Sequence, residues 1–126
     1  MGNRVLVVDD EPEVVSVIRE ALTREGFSVL SARDGAECLR KVESGQPDLV
    51  ILDVNMPGMN GFKTLHALRE KEDTRNLPVV MLTVRHERGD ELAGLLAGAD
   101  LYLKKPCNME RLVAGVKRLL EVPAKL

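Results

Sequence analysis

The chain holds no tryptophan, one tyrosine, two phenylalanines, two cysteines and two histidines among its 126 residues. With Tyr102 the sole strong emitter, tyrosine fluorescence reports that position alone. Cys38 and Cys107 share no metal or redox spacing, so they read as small, partly buried residues of a reducing compartment. There is no excess of basic charge. Eighteen Lys and Arg stand against twenty Asp and Glu, for a net charge of -2. Such a balance carries no electrostatic footprint for nucleic acid, and the interspersed signs suit a solvated surface. No apolar run approaches the roughly 18 residues of a membrane span. The first strand is expected by Val5, which leaves no room for a signal peptide, and Gly2 lacks the Ser or Thr of a myristoylation pattern at position 6. The expectation is one cytoplasmic domain over 1–126, long enough to bury a core without disulfide or metal staples.

Residues 49–61 are the most informative stretch. Leu49, Val50, Ile51 and Leu52 run directly into Asp53, and a loop with Pro57, Gly58 and Gly61 follows. A continuous apolar run bounded by turn residues suits a strand buried on both faces. A carboxylate where such a strand emerges is costly to desolvate unless it is paired, bound to a metal or used in chemistry. A lone Asp is more often simply the start of a turn, so the rest of the chain must decide.

Two periods alternate along the sequence with no linker between them. Arg4–Val8 reads as a strand, and Pro12 opens a helix whose stripe is Val14, Ile18, Ala21 and Leu22, ended by Gly26. Phe27–Ala32 is a less uniformly apolar strand, expected at a sheet edge. Asp34-Gly35 opens a helix that stops near Gly45 and Pro47, and the third strand runs to Asp53. A third helix spans Gly61–Lys71, burying Phe62, Leu65 and Leu68. The fourth strand is Val79–Leu82, a helix is expected over 87–97, and Asp100–Lys104 forms the fifth strand. The last helix carries Met109, Leu112, Val113, Val116 and Leu119, closed by Pro123. Five successive βα units predict an α/β fold, a doubly wound parallel sheet with helices on both faces.

In such a sheet all the carboxyl ends of the strands lie on one edge, which carries the site at the crevice where strand order reverses. Asp9 and Asp10 end the first strand, Asp53 the third, Thr83 the fourth, and Lys104 and Lys105 the fifth. Taken singly, each has an ordinary explanation: Asp9 or Asp10 capping the first helix, Thr83 making a turn or cap, the lysines solvated. Their convergence from four strand ends outweighs those explanations. Three clustered carboxylates raise one another's pKa unless a cation joins them. Oxygen-only donors favour a hard ion such as Mg²⁺, and no His or Cys stands near to favour zinc. Carboxylate, Mg²⁺, hydroxyl and lysine make a set for phosphoryl transfer, in which a carboxylate attacks and cations neutralise the transferring oxygens. Asp53 is the best nucleophile candidate, and the paired Asp9 and Asp10 are better explained as metal holders.

Val-Asp-Asp-Glu at 8–11, Leu-Asp-Val-Asn-Met-Pro-Gly-Met-Asn-Gly at 52–61, Leu-Thr at 82–83 and Tyr-Leu-Lys-Lys-Pro at 102–106 resemble the motifs of bacterial two-component response regulator receiver domains. The resemblance spans essentially the whole chain and is closest to single-domain, chemotaxis-type regulators. It implies the flavodoxin-like (βα)5 sheet with strand order 2-1-3-4-5. It further implies that Asp53 accepts a phosphoryl group from the phosphohistidine of a sensor histidine kinase or phosphotransfer protein. Asp10 would hold Mg²⁺ directly, Asp9 largely through water, and the backbone carbonyl of Asn55 would complete the protein ligands. Lys105 would pair with the acyl phosphate, Lys104 being a variable position, and a cis peptide is common before the equivalent of Pro106. Thr83 would be drawn to the phosphoryl group and Tyr102 would turn inward. The surface of the fourth helix, fifth strand and fifth helix would change for an output partner or a homodimer. Gly94 within the fourth helix, and Gly89 and Gly98 near its ends, are expected to leave it marginally stable. The resemblance implies a signalling switch, catalysing only its own phosphotransfer and autodephosphorylation, and the chain itself is expected to make no direct contact with nucleic acid or membrane.

Three positions bear on rate. The resemblance most often has Ala or Gly after the Thr83 position, whereas Val84 stands here and should narrow access to the pocket. Arg85 and Asn55 are expected to influence how a hydrolytic water is placed. Asn55 also argues against a phosphatase of the haloacid-dehalogenase type, which needs a second Asp two residues after its nucleophile as general acid. A flavodoxin would want a Ser/Thr-rich loop where Asp9-Asp10-Glu11 would repel a phosphate. A degenerate receiver acting only as a binding module conflicts with the intact set of Asp10, Asp53, Thr83 and Lys105. His66 is expected on the surface, His86 in a solvated cluster with Arg85 and Arg88, and Met56 and Met59 packed locally.

Overall fold

The computed structural model describes residues 3–56, 58, 60–83 and 98–121. Five strands are β1 (Arg4–Val8), β2 (Ser28–Ala32), β3 (Leu49–Asp53), β4 (Val79–Thr83) and β5 (Leu101–Lys104). They form one parallel sheet in the order β2-β1-β3-β4-β5. This is the doubly wound order expected, with β2 at the edge as its mixed pattern implied.

Strand period sorts the aliphatic side chains between two layers. Leu6, Val8, Val50, Leu52, Val79 and Met81 face the side covered by α2 (Gly35–Gly45) and α3 (Gly61–Glu70), meeting Cys38, Val42, Leu65 and Leu68. Val5, Val7, Leu49, Ile51, Val80 and Leu82 face the other side. There α1 (Pro12–Arg24) and the C-terminal helix (Met109–Glu121) supply Ile18, Leu22, Leu112 and Val116. Every residue of β3 and β4 is buried, so these two strands are the floor from which Asp53 and Thr83 emerge.

Local chemistry sets the helix ends. Pro12 occupies the first turn of α1, where its missing N–H is not needed. Gly26 ends it with φ +94°, as the Gly26 and Phe27 amides close on the carbonyls of Thr23 and Leu22. Asp34 caps α2 by accepting from the Glu37 amide, and Asn60 caps α3 by accepting from the Lys63 amide.

Boundaries differ from expectation at four places, the fifth strand beginning at Leu101 and not at Asp100. β2 begins at Ser28, because Phe27 is spent closing the end of α1. The third helix stops at Glu70, and a 3-10 turn over Glu72–Thr74 follows. β4 extends to Thr83, whose carbonyl accepts from the Lys105 amide. The helix expected over 87–97 lies outside the described residues, as do Pro57, Met59, His86 and Pro123. Among the described residues no helix is long and apolar enough to cross a membrane.

Candidate functional site

Parallel register brings the carboxyl ends of β1, β3, β4 and β5 to one edge. Asp9 is 2 % exposed and Asp53 3 %, while Asp10 faces solvent. One carboxylate oxygen from each of these three lies within 4.8 Å of the others. Lys105 reaches in from the end of β5, its Nζ 2.7 Å from Asp9 Oδ2 and 3.5 Å from both Asp53 Oδ1 and Glu11 Oε1. The Lys105–Pro106 peptide is cis. Thr83, fully buried, accepts at its hydroxyl from Asn55 Nδ2 at 3.2 Å, and the Asn55 amide donates to Asp53 Oδ1 at 3.2 Å.

Neither Asp9 nor Asp10 occupies the N-cap position of α1. The N-cap position of α1 is Glu11, with no side-chain cap. Asp9 Oδ1 instead accepts from the Glu11 amide, which turns the chain and leaves Oδ2 for Lys105.

Charge does not balance. Burial, and then the charge of Asp9, push the Asp53 carboxyl up to about 6, although Lys105 and the Asn55 amide pull the other way. Burial alone would lower the Lys105 ammonium. The Asp9 hydrogen bond and the charges of Asp53, Asp9 and Glu11 outweigh it, holding the group above its ordinary range. A site with this excess of oxygen donors and negative charge fits a hard divalent cation, and among the described residues no His or Cys joins it. Among the described residues, Asp9, Asp10 and Asp53 are the side chains able to hold one.

Two features had no sequence signal beyond their residue type. Gly61 opens α3 pressed against the Asp53 loop, where a Cβ would lie 2.5 Å from the Asp53 carbonyl oxygen and 2.7 Å from Val54 Cα. The Asn55–Thr83 bond links two strand ends 28 residues apart. Lys104 is exposed and, among the described residues, forms no ion pair with the aspartates. Tyr102 is 9 % exposed and packs with the α2–α3 side of the core, so this structure holds it on the inside. His66 is on the surface beside Glu70, Met56 is buried, and Cys38 is fully buried, its thiol pushed up to about 12 by that burial. Val84 and Arg85 lie outside the described residues.

Comparison with known proteins points the same way. Residues 5–117 match the response regulator receiver domain. The transcriptional regulatory protein PrrA of Mycobacterium tuberculosis is 45 % identical over 117 residues, covering 93 % of this chain and 49 % of PrrA. The transcriptional regulatory protein CpxR of Escherichia coli K12 is 45 % identical over 118 residues, covering 94 % of this chain and 49 % of CpxR. The chain thus spans about half the length of the curated relatives it matches. The chemotaxis protein CheY4 of Vibrio cholerae superposes with a TM-score of 0.89 at 34 % identity, covering 95 % of this chain and all of CheY4.

Proposed function

The chain belongs to the response regulator receiver domain family, and from that premise we propose that Asp53 is its phosphoacceptor. Receivers of this family are signalling switches of the phosphorelay, paired with histidine kinases and binding Mg²⁺ in an acidic pocket. In the proposed reaction an Asp53 oxygen attacks the phosphorus of a phosphohistidine. The P–N bond breaks and its electron pair returns to the imidazole. The observation that carries this reading is the placement of Asp53: buried, at a strand end, 3.5 Å from the Lys105 ammonium and beside two further carboxylates.

Asp9, Asp10, Asp53 and the backbone carbonyl of Asn55 would hold Mg²⁺, which when bound supplies positive charge to the phosphoryl oxygens. Lys105 exchanges part of its present pairing with Asp9 for the incoming phosphoryl oxygens, offering a directed ammonium in a partly desolvated pocket. The Thr83 hydroxyl leaves the Asn55 amide to donate to the phosphoryl group. Tyr102 and the surface that includes β5 and the C-terminal helix then favour a second arrangement, read by an output partner or a second copy. Autodephosphorylation returns the switch, at a rate set by Asn55, Val84 and Arg85. A β-branched residue directly after Thr83 would restrict access to the acceptor, so Val84→Ala exchanges phosphoryl groups faster with small donors, and equal or slower exchange refutes that role.

Incubation with a small acyl phosphate and Mg²⁺ tests the acceptor directly. The intact protein gains the mass of one phosphoryl group, and Asp53→Asn gains none. Phosphorylation that persists in that variant overturns the assignment.

A further inference from the structure

Among the described residues β2 is an edge strand of the sheet. The Ser28 amide donates to the Asn3 carbonyl and the Ala32 carbonyl accepts from the Asp9 amide, so even-numbered positions of β2 turn toward β1. Strand period then turns the backbone groups of Val29 and Ser31 away from the sheet. Unpaired groups of this kind are a template for another strand. Here both outward carbonyls already have cationic donors, one from each layer. Arg19 of α1 donates from Nη1 to the Val29 carbonyl at 3.0 Å and from Nη2 to Ser31 Oγ at 3.2 Å. Lys41 of α2 donates from Nζ to the Ser31 carbonyl at 2.5 Å. Glu37 steadies this arrangement. Its Oε2 lies 3.2 Å from Lys41 Nζ, and its Oε1 accepts from the Arg33 amide at 2.8 Å.

We propose that Arg19 and Lys41 form a guard that closes the β2 edge, preventing a second copy of this chain from pairing through its own β2. An incoming strand would have to break charge-assisted hydrogen bonds to both carbonyls. It would then have to displace or bury two cations against an incoming Ser28–Ala32 strand that carries no acidic residue of its own. Removing the donors while keeping the aliphatic stems leaves two free carbonyls, with the outward amides of Val29 and Ser31 between and beside them. A two-fold pairing of β2 with β2 satisfies all of these at once. This edge is opposite β5, so the guard is separate from the surface proposed to respond to phosphorylation and does not depend on that reading.

Arg19→Met with Lys41→Met, measured by sedimentation and by amide hydrogen exchange over a range of protein concentrations, tests the guard. The expected result is concentration-dependent association of the double variant. The Val29 and Ser31 amides should exchange about tenfold more slowly in the associated form. Arg40→Met, which removes an exposed cation of the same helix, stays at the wild-type state, and Lys41→Arg keeps the guard. Where the double variant folds poorly, Glu37→Gln loosens Lys41 alone and gives a weaker association of the same kind. A folded double variant with concentration-independent exchange at Val29 and Ser31 overturns the proposal. So does association that leaves those two amides unprotected, because it would reflect lost charge and not an opened edge.

Discussion

At the carboxyl end of β4, Thr83 stands beside three carboxylates that share one lysine. At the amino end of the same strand, one arginine is surrounded by carbonyls. Arg69 of α3 is partly buried, and all five of its N–H donors are used. Nε and Nη2 donate to the Gly98 carbonyl, Nη1 to those of Thr74 and Leu77, and Nη2 also to Asp100 Oδ2. Asp100 Oδ2 in turn accepts from the Val79 amide at 2.9 Å. This cluster ties α3, the 3-10 turn, β4 and the approach to β5 into one corner, with its charge matched and its donors spent. The carboxyl end is the reverse: four acids with Glu11 counted, one base and an Asp53 carboxyl raised to about 6. Two polar clusters at opposite ends of one strand thus do different work. The satisfied one holds the sheet together, and the unbalanced one stores a demand for positive charge that a cation and a phosphoryl group would meet.

The strongest test of this contrast is to neutralise one member of each. Asp53→Asn abolishes phosphorylation, yet in metal-free buffer near pH 7.5 its stability rises by about 1 kcal/mol, because a buried like charge is removed. Intact mass and urea denaturation read the two effects. A variant that is both inactive and clearly less stable would mean that the aspartate cluster is itself structural. Arg69→Ala behaves oppositely. It leaves several carbonyls without their donor and lowers stability by about 3 kcal/mol. Under conditions where the variant is folded, its phosphorylation stays within a few-fold of wild type. Loss of phosphorylation in a folded Arg69→Ala protein would break the separation between the two ends.

How visible each end is in the sequence follows from the same contrast. The strands were legible because β3 and β4 are buried on both faces and so read as unbroken aliphatic runs. The acidic site was legible because its residues sit at the ends of those runs. Arg69 announced nothing. Its partners at Thr74, Leu77, Gly98 and Asp100 are mostly backbone carbonyls, which every residue carries, so no side-chain pattern marks them. The 3-10 turn at Glu72–Thr74 escaped notice for a related reason, being too short for a period and held by Arg69 and by the Thr74 hydroxyl on the Leu68 carbonyl. Gly61 read only as a turn residue. Its close approach to the Asp53 carbonyl exists only once α3 packs over β3.

Gly61 therefore tests whether the acidic site depends on its supporting backbone. In Gly61→Ala the new methyl meets main chain on two sides, which a rotamer change cannot relieve. Stability falls by about 2 kcal/mol, and displacement of the Asp53 backbone slows phosphorylation about tenfold. Stopped-flow measurement with a small acyl phosphate would show it. A variant that loses stability with an unchanged rate would place the strain in α3 alone.

The smallest effect is the most specific to charge. Asp53 has a folded pKa of about 6 against an ordinary carboxylate value near 4. Between those values the native protein binds more protons than the unfolded chain. The contribution of this group is therefore full below about pH 4 and is lost as pH rises through about 6. Subtracting Asp53→Asn from wild type isolates it: the wild-type stability relative to the variant falls across that window in metal-free buffer. Mg²⁺ needs the deprotonated carboxylate, so its stabilisation of wild type grows as pH rises through the same range. Arg69 has no counterpart, since no proton is taken up or released there near neutrality, and Arg69→Ala leaves the slope in place. A wild-type-minus-Asn difference that is flat from pH 4 to 7 would mean that the Lys105 ammonium already balances Asp53, and the two ends of β4 would then differ in geometry alone.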